Sequence, residues 1–453
     1  MSVNSKYASP DEPWPPTFIG WYVVAVLALA NAVSFLDRLV MSLLIPQIKA
    51  DLLLSDTQIS LLLGFAFSIT YGLFGLLIAR LADSKSRKYI VMAGIGFWSI
   101  ATAACGLGRN FWQIFVARIG VGIGEASLSP SAYSMLADHF PPKKLALPIG
   151  IFTAGLSAGI GLSLILGAAA IDFASSFGTV TFPLIGPLSD WRLVFVMVGS
   201  LGIFPVLLLF TVREPKRRGI SSAEQAQQSV PLREVWVYAK ENWRIYLFVF
   251  AGYGATSVSI YGILFWTPVF YMRSYGMLDT EAGYLIGLVS AAGGLSGAFF
   301  GGWWSDWLER RGDNNAKLRV LMYCCLGLIP AGVISPLMPV PQLALAFLFF
   351  SFFFGTAAAG PAGAFVQIIT PNRMRAQAGA AYQLSLNLVG AGLGPFAVAL
   401  FTDYLFGDEA MVRYSIVIVI AVFNPIALYL TWRAFRLFPK IRNQLVSAAS
   451  QPA

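Results

Sequence analysis

Ala79-Arg-Leu-Ala-Asp83-Ser-Lys-Ser-Arg87-Lys88 closes one apolar run of this chain. Gly302-Trp-Trp-Ser-Asp306, followed by Arg310 and Arg311, closes another in the second half. Each puts an acid at the end of an apolar stretch and basic residues just beyond it. Two further pairs fall at a similar offset. One run spans Pro130 to Pro141 before Lys143 and Lys144, and its counterpart spans Pro361 to Pro371 before Arg373 and Arg375. Ala158-Gly-Ile-Gly161 precedes Asp172, as Ala391-Gly-Leu-Gly394 precedes Asp403. Three correspondences in register read as a duplication: two repeats packed about an axis along a membrane normal.

Counting outward from these ends gives twelve apolar runs. The first six are 19–45, 59–81, 89–107, 111–136, 145–171 and 193–212. After a polar stretch come 245–272, 282–307, 320–337, 343–369, 378–405 and 414–437. The fold expected is therefore all-α integral membrane, with twelve transmembrane helices in two six-helix pseudo-symmetric bundles. The domains read as a tail (1–18), a bundle (19–212), a linker (213–244), a second bundle (245–437) and a tail (438–453).

Composition agrees. The chain has 453 residues, 57% hydrophobic and only 12% charged, with mean hydropathy +0.69. Soluble domains carry about 25% charged residues, so half that figure leaves too little polar surface to face water. At roughly 20 apolar residues per span, the length allows the twelve. The net charge of +9 sits in short clusters between apolar runs, without the basic stripe and interleaved aromatics of a nucleic-acid binder.

Cys105, Cys324 and Cys325 lie inside apolar runs and read as small buried hydrophobes. His139, the one histidine, cannot build a metal site by itself, and no cofactor or metal is expected. The N-terminus, with Pro10, Pro13, Pro15 and Pro16, lacks the cationic start of a cleavable signal. No Asn-x-Ser/Thr acceptor occurs, which favours a bacterial inner membrane.

Alternate loops are basic: Arg80, Lys85, Arg87 and Lys88; Lys143 and Lys144; Lys216, Arg217 and Arg218; Arg310, Arg311, Lys317 and Arg319; Arg373 and Arg375. The loops between them carry mostly Asp51, Asp56, Asp172, Asp190, Asp279, Asp408 and Glu409. The positive-inside rule places the basic loops and both termini in the cytoplasm.

The stretch from Ala79 to Lys88 resembles the cytoplasmic signature of the major facilitator superfamily, Gly-x-x-x-Asp-Arg-x-Gly-Arg-Arg. Ala79, Ser84 and Ser86 depart from it, and Gly302-x-x-x-Asp306 with Arg310 and Arg311 keeps more of the second copy. The resemblance implies a conformational lock formed by Arg80, Asp83, Arg87, Lys88, Asp306 and Arg310, its aspartate set near a helix N-terminus, where a carboxylate is favoured. Arg118-Ile-Gly-Val-Gly-Ile-Gly-Glu125-Ala and Gly155-x-x-x-Gly159 are similar to the fourth- and fifth-helix motifs. Glycines so spaced let helix backbones approach.

A narrower resemblance is to the spinster-like carriers. It rests on Phe35-Leu-Asp37-Arg38, Gly122-Ile-Gly-Glu125-Ala, Asp190-Trp-Arg192-Leu-Val-Phe and Val212-Arg-Glu-Pro215. It implies export of lysophospholipid or sphingosine phosphate. Organic-anion carriers also bear an Asp-Arg pair in the first helix, so both substrate classes stay open. Carriers of the superfamily usually act as monomers.

An ionisable residue inside a span costs about 2.5–3.5 kcal/mol on insertion scales and is functional by default. Asp37, Arg38, Arg118 and Glu125 are four such residues, two acids and two bases. Arg118 and Glu125 lie two turns apart on one face, roughly 10.5 Å. Asp37 and Arg38 point about 100° apart. Burial favours the neutral acid and a nearby cation favours the carboxylate. A carboxylate that exchanges an arginine for solvent can therefore take and release a proton. Glu125 or Asp37 is the expected proton carrier, with Arg38 and Arg118 as counter-charges or ligands of an anionic headgroup; the alternative is a permanent network that only fixes two helices.

The second half offers no central charge. It presents Tyr253, Tyr261, Gln367, Tyr382 and Asn387 among Phe-rich stretches, which suits the tail of an amphiphile. The expected partners are thus an amphiphilic or anionic small molecule, protons and membrane lipids. No HExxH or GxxxxGK[ST] pattern is present, against an enzyme of that metal-dependent type or an ATP-driven pump.

Overall fold

The computed structural model describes residues 13–141, 144–178, 180–182, 186–218, 232–371 and 374–449. Residues 1–12 and 450–453 of the tails, Lys143, linker residues 219–231 and Arg373 lie outside the described residues, as do the surroundings of Asp83 and Gly155.

Ten helices among the described residues are long and apolar enough to cross a membrane. They are α1 (Thr17–Leu43), α2 (Asp56–Ala82), α3 (Arg87–Leu107), α6 (Asp190–Thr211), α7 (Trp243–Tyr275), α8 (Asp279–Arg310), α9 (Ala316–Leu337), α10 (Pro341–Ile368), α11 (Gln377–Phe406) and one at Glu409–Pro439. The last is part of a longer helix, α12, Val412–Ala449. Two more complete the twelve. α4 is built of two pieces, Phe111–Glu125 and Leu128–His139. α5 spans Ala146–Ser175. Between α5 and α6 a small antiparallel hairpin pairs β1 (Val180–Phe182) with β2 (Gly186–Leu188).

The polar punctuation sets the ends. α1 starts after Pro16 and stops before a short helix, Ile45–Leu52, that carries Pro46 in its first turn, where the missing N–H costs nothing. Leu53, with φ of 53°, ends that helix. Ser55 and Gln58 then form a reciprocal capping box at the start of α2. Asn110 caps α4 by accepting from the Gln113 N–H at 3.0 Å. The stretch read as linker contains a helix, Leu232–Glu241. The tail read from 438 continues α12 as far as Ala449.

The chain forms two compact units. One comprises 1–224 with 276–291, the other 225–275 with 292–453. In the first, α1 packs on α5, and α3 packs on α4 and α6, around Leu27, Trp98, Val121 and Met135. A Cβ on Gly124 would stand 2.7 Å from the Gly94 carbonyl oxygen, so α3 and α4 touch backbone to backbone. In the second, α9 packs on α10 and α12, and α7 on α12, around Ile245, Leu318, Phe365 and Ala434. There α8 presents Gly297 and Gly301 to the Phe353 and Ala357 carbonyls, 2.1 and 2.0 Å from where a Cβ would sit. Large apolar side chains such as Ile100 and Phe299 are 72% and 77% exposed. Such a surface requires lipid, and helices meet it because their backbone groups are paired internally.

Candidate functional site: a buried charge cluster on α1 and α4

Ser34 and Arg38 stand one turn apart on α1, so their side chains share a face. That face meets Glu125 at the end of the first piece of α4. Glu125 Oε2 accepts from Ser34 Oγ at 2.5 Å and from Arg38 Nε at 2.6 Å, and Arg38 Nη2 completes an ion pair with it. Arg38 Nη2 also donates to Ser34 Oγ at 3.3 Å. The guanidinium lies over the rings of Phe67, Phe35 and Tyr71, at 4.2, 5.0 and 5.2 Å. Aromatic faces and one carboxylate thus enclose the cation, both by electrostatic attraction. Glu125 is fully enclosed, while the Arg38 side chain keeps 16% exposure.

Asp37, one residue earlier, is turned away. It is completely buried, and its Oδ2 accepts from Thr102 of α3 at 3.1 Å. Arg118, equally buried, does not grip either carboxylate. Its Nη1 donates to the Asp37 main-chain carbonyl at 3.1 Å and its Nε to the Leu62 carbonyl at 3.1 Å. Leu62 lies in a π-helical turn of α2, Leu61–Phe65, the kind of local widening found at functional sites. The arginine fork therefore ties α1 and α2 to α4 through backbone. Asp37 Oδ1, Arg118 Nη2 and Glu125 Oε1 are buried without a hydrogen-bond partner among the described residues.

All four charges expected from the sequence converge in the first unit. The specific pairing, Arg38 with Glu125, was not readable from spacing, because it depends on the depth at which α1 and α4 cross.

Arg87 is buried and forms an ion pair with Asp138. It also donates to Ser134 Oγ at 2.8 Å and, through Nε, to Glu214 at 3.2 Å. Glu214 accepts from Ser86 Oγ and from the Arg87 backbone N–H as well. Partial burial pushes the Glu214 carboxyl up, but these Ser86 and Arg87 contacts outweigh it and hold the group below its usual range. Asp138 further accepts from the Arg218 N–H at 2.8 Å. Lys88 donates to the Phe210 carbonyl at 2.9 Å. Arg80 is exposed, and the Asp83 side chain lies outside the described residues. Asp306 and Arg310 are exposed and line an open depression with Glu309. Sequence reasoning missed Asp138 and Glu214 as partners of Arg87; the Val212-Arg-Glu-Pro215 motif was the available signal for the second.

In the second unit Tyr253 and Tyr382 are buried and stacked, with ring centroids 5.9 Å apart. The Tyr382 hydroxyl has no partner among the described residues. Tyr261 stacks on Phe265 at 6.3 Å. Gln367 and Asn387 are half-buried, and Asn387 donates to the Gln383 carbonyl at 3.0 Å.

Ten apolar helices long enough to cross a membrane, two further helices, and charges buried within them define an integral multi-pass membrane transporter. The chain belongs to the Major Facilitator Superfamily, whose sequence profile matches residues 27–434. An MFS-type efflux pump of Mycolicibacterium smegmatis is 30% identical over 89% of this chain and 90% of its own. A probable L-galactonate transporter of Escherichia coli is 27% identical over 83% and 82%. A bacterial homolog of the human lysosomal transporter Spinster, solved inward-facing and unoccupied, superposes with a TM-score of 0.82 at 26% identity, covering 94% of this chain and 99% of that one. Within the superfamily the chain thus resembles the spinster branch.

Proposed function

We propose that the protein is a proton-coupled secondary carrier that moves a lysolipid or similar amphiphilic anion by alternating access. The bundles 19–212 and 245–437 are the rocking bodies, and the chain works as a monomer in a bacterial inner membrane with both termini cytoplasmic. The observation that carries this reading is the enclosed Arg38–Glu125 pair, beside the aromatic cluster that lies over Arg38.

The chemistry follows from competition. An anionic headgroup that draws Arg38 to itself removes the cation from Glu125, and a buried carboxyl without a cation favours its proton. When the headgroup leaves, Arg38 returns and the proton is expelled. Tyr253, Tyr261, Gln367, Tyr382 and Asn387 are assigned to the substrate's uncharged portion. The lock residues Arg80, Asp83, Arg87, Lys88, Asp306 and Arg310 are assigned to holding one conformation.

A second reading has its own support. The likeness to the probable L-galactonate transporter favours a small organic acid, with Arg38 as the carboxylate clamp. Purified protein in liposomes separates the two. Lysophosphatidate flux driven by a pH gradient and lost in Glu125→Gln supports the first reading. Gradient-driven sugar-acid flux without lysolipid flux replaces it with the second. Flux that ignores the gradient removes proton coupling from both.

A further inference from the structure

The proposed function leaves unused a buried polar group deep in the second unit. Asn424 of α12 is fully enclosed, and neither its Nδ2 nor its Oδ1 has a hydrogen-bond partner among the described residues. Ser259 of α7 is also fully enclosed, and its Oγ is likewise unpartnered.

The helix register puts the two groups at one level of the α7–α12 contact. α7 packs on α12, and a Cβ placed on Gly252 would stand 3.2 Å from Thr431 Oγ1. Ala255 and Ala427, one turn further on each helix, share an apolar cluster with Cys325. Seven residues after Gly252 comes Ser259, and seven before Thr431 comes Asn424. Seven residues are two turns, so an antiparallel pair in contact at one level meets again at the other. Val258 on α7, Ala427 and Ile420 on α12, and Leu328 on α9 are apolar and all fully buried. Pro425 follows Asn424 and cannot donate to the Ala421 carbonyl, so the α12 ladder is already interrupted at this level.

The geometry points to a buried water molecule bound between Ser259 and Asn424, joining α7 to α12. The donor set selects this ligand. An amide has two donors and two lone pairs, and a hydroxyl has one donor and two lone pairs. A cation would engage only the oxygens and leave the amide N–H groups unpaired in an apolar interior. A neutral ligand that both donates and accepts can bond the amide and the hydroxyl together, and buried waters make about three such bonds. The water gives this half, which has no buried charge among the described residues, a polar joint where two long helices meet.

A high-resolution map of the full-length protein in lipid nanodiscs tests it. A density peak about 2.7–3.2 Å from both Asn424 and Ser259 Oγ is expected; direct contact of the two side chains, with no room for a peak, overturns the proposal. Thermal unfolding supplies the second arm. Asn424→Ala and Ser259→Ala are each expected to lower the midpoint, and the double variant to fall by less than the sum, since either change removes the shared ligand. Strict additivity overturns the shared site. The midpoint is expected to be equal in sodium, potassium and N-methylglucamine chloride. A sodium-dependent rise that disappears in Asn424→Ala overturns water in favour of an ion.

Discussion

The two halves of this molecule share a helix plan but differ in what they bury. The first holds Asp37, Arg38, Arg118 and Glu125 inside its helices. The second stacks Tyr253 on Tyr382, and its buried polar side chains among the described residues are all neutral. Duplication supplies the scaffold, in which glycines set close backbone contact on α3 and α4 as they do on α8 and α10. Among the described residues, buried charge lies on one copy alone. Burying an ion pair is costly unless its hydrogen bonds are well made, so its presence in one half makes that half the place to test.

The sharpest way to break this contrast is Glu125→Gln. It leaves the Arg38 guanidinium facing a neutral amide in an enclosed site. Removing one partner of a buried pair costs about 3–5 kcal/mol. Gradient-driven uptake in liposomes is expected to fall by about two orders of magnitude. Uptake close to wild type would show that the charged half is structural.

Packing should treat the halves alike. Gly124→Ala and Gly301→Ala each push a Cβ against backbone, and each is expected to cost about 1–3 kcal/mol, read as a lower unfolding midpoint in detergent. A large loss in only one would mean that the duplication did not conserve tight packing.

Glu214 gives a smaller and pH-dependent effect. Its carboxyl is held low in the folded protein, so its contribution is complete above the unfolded glutamate value of about 4.3. That contribution is lost as pH falls through the lower folded value. The unfolding midpoint of wild type should therefore drop in that acid window, and Glu214→Gln should flatten the drop. An unchanged pH profile in the variant would remove Glu214 from the Arg87 network.

The smallest change expected is from Tyr382→Phe, which deletes a buried hydroxyl that has no partner among the described residues. Stability should shift by less than about 1 kcal/mol, while the apparent KM for substrate rises and proton coupling persists. Loss of coupling would carry proton chemistry into the aromatic half.

Much of the fold is legible in the sequence because a bilayer is a strict solvent. It demands long apolar runs, and polar residues end them, so Asn110, Ser55 and the proline clusters mark boundaries directly. Two local features were not legible. α4 breaks at Ala126–Ser127, where Ser127 Oγ donates to the Gly124 carbonyl. α2 widens at Leu61–Phe65. Both depend on neighbouring helices that local pattern does not specify.

The same division holds at the site. By itself the sequence determined that four charges must lie within the first half's spans, because ionisable residues there are expensive and stand out against apolar neighbours. Only the tertiary structure decided their partners. Arg38 took Glu125 and its aromatic enclosure, Arg118 took two backbone carbonyls, and Asp37 was left with Thr102. Partner choice depends on the depth and rotation at which helices cross, and that is settled by packing over whole helix faces rather than by any residue's spacing along the chain.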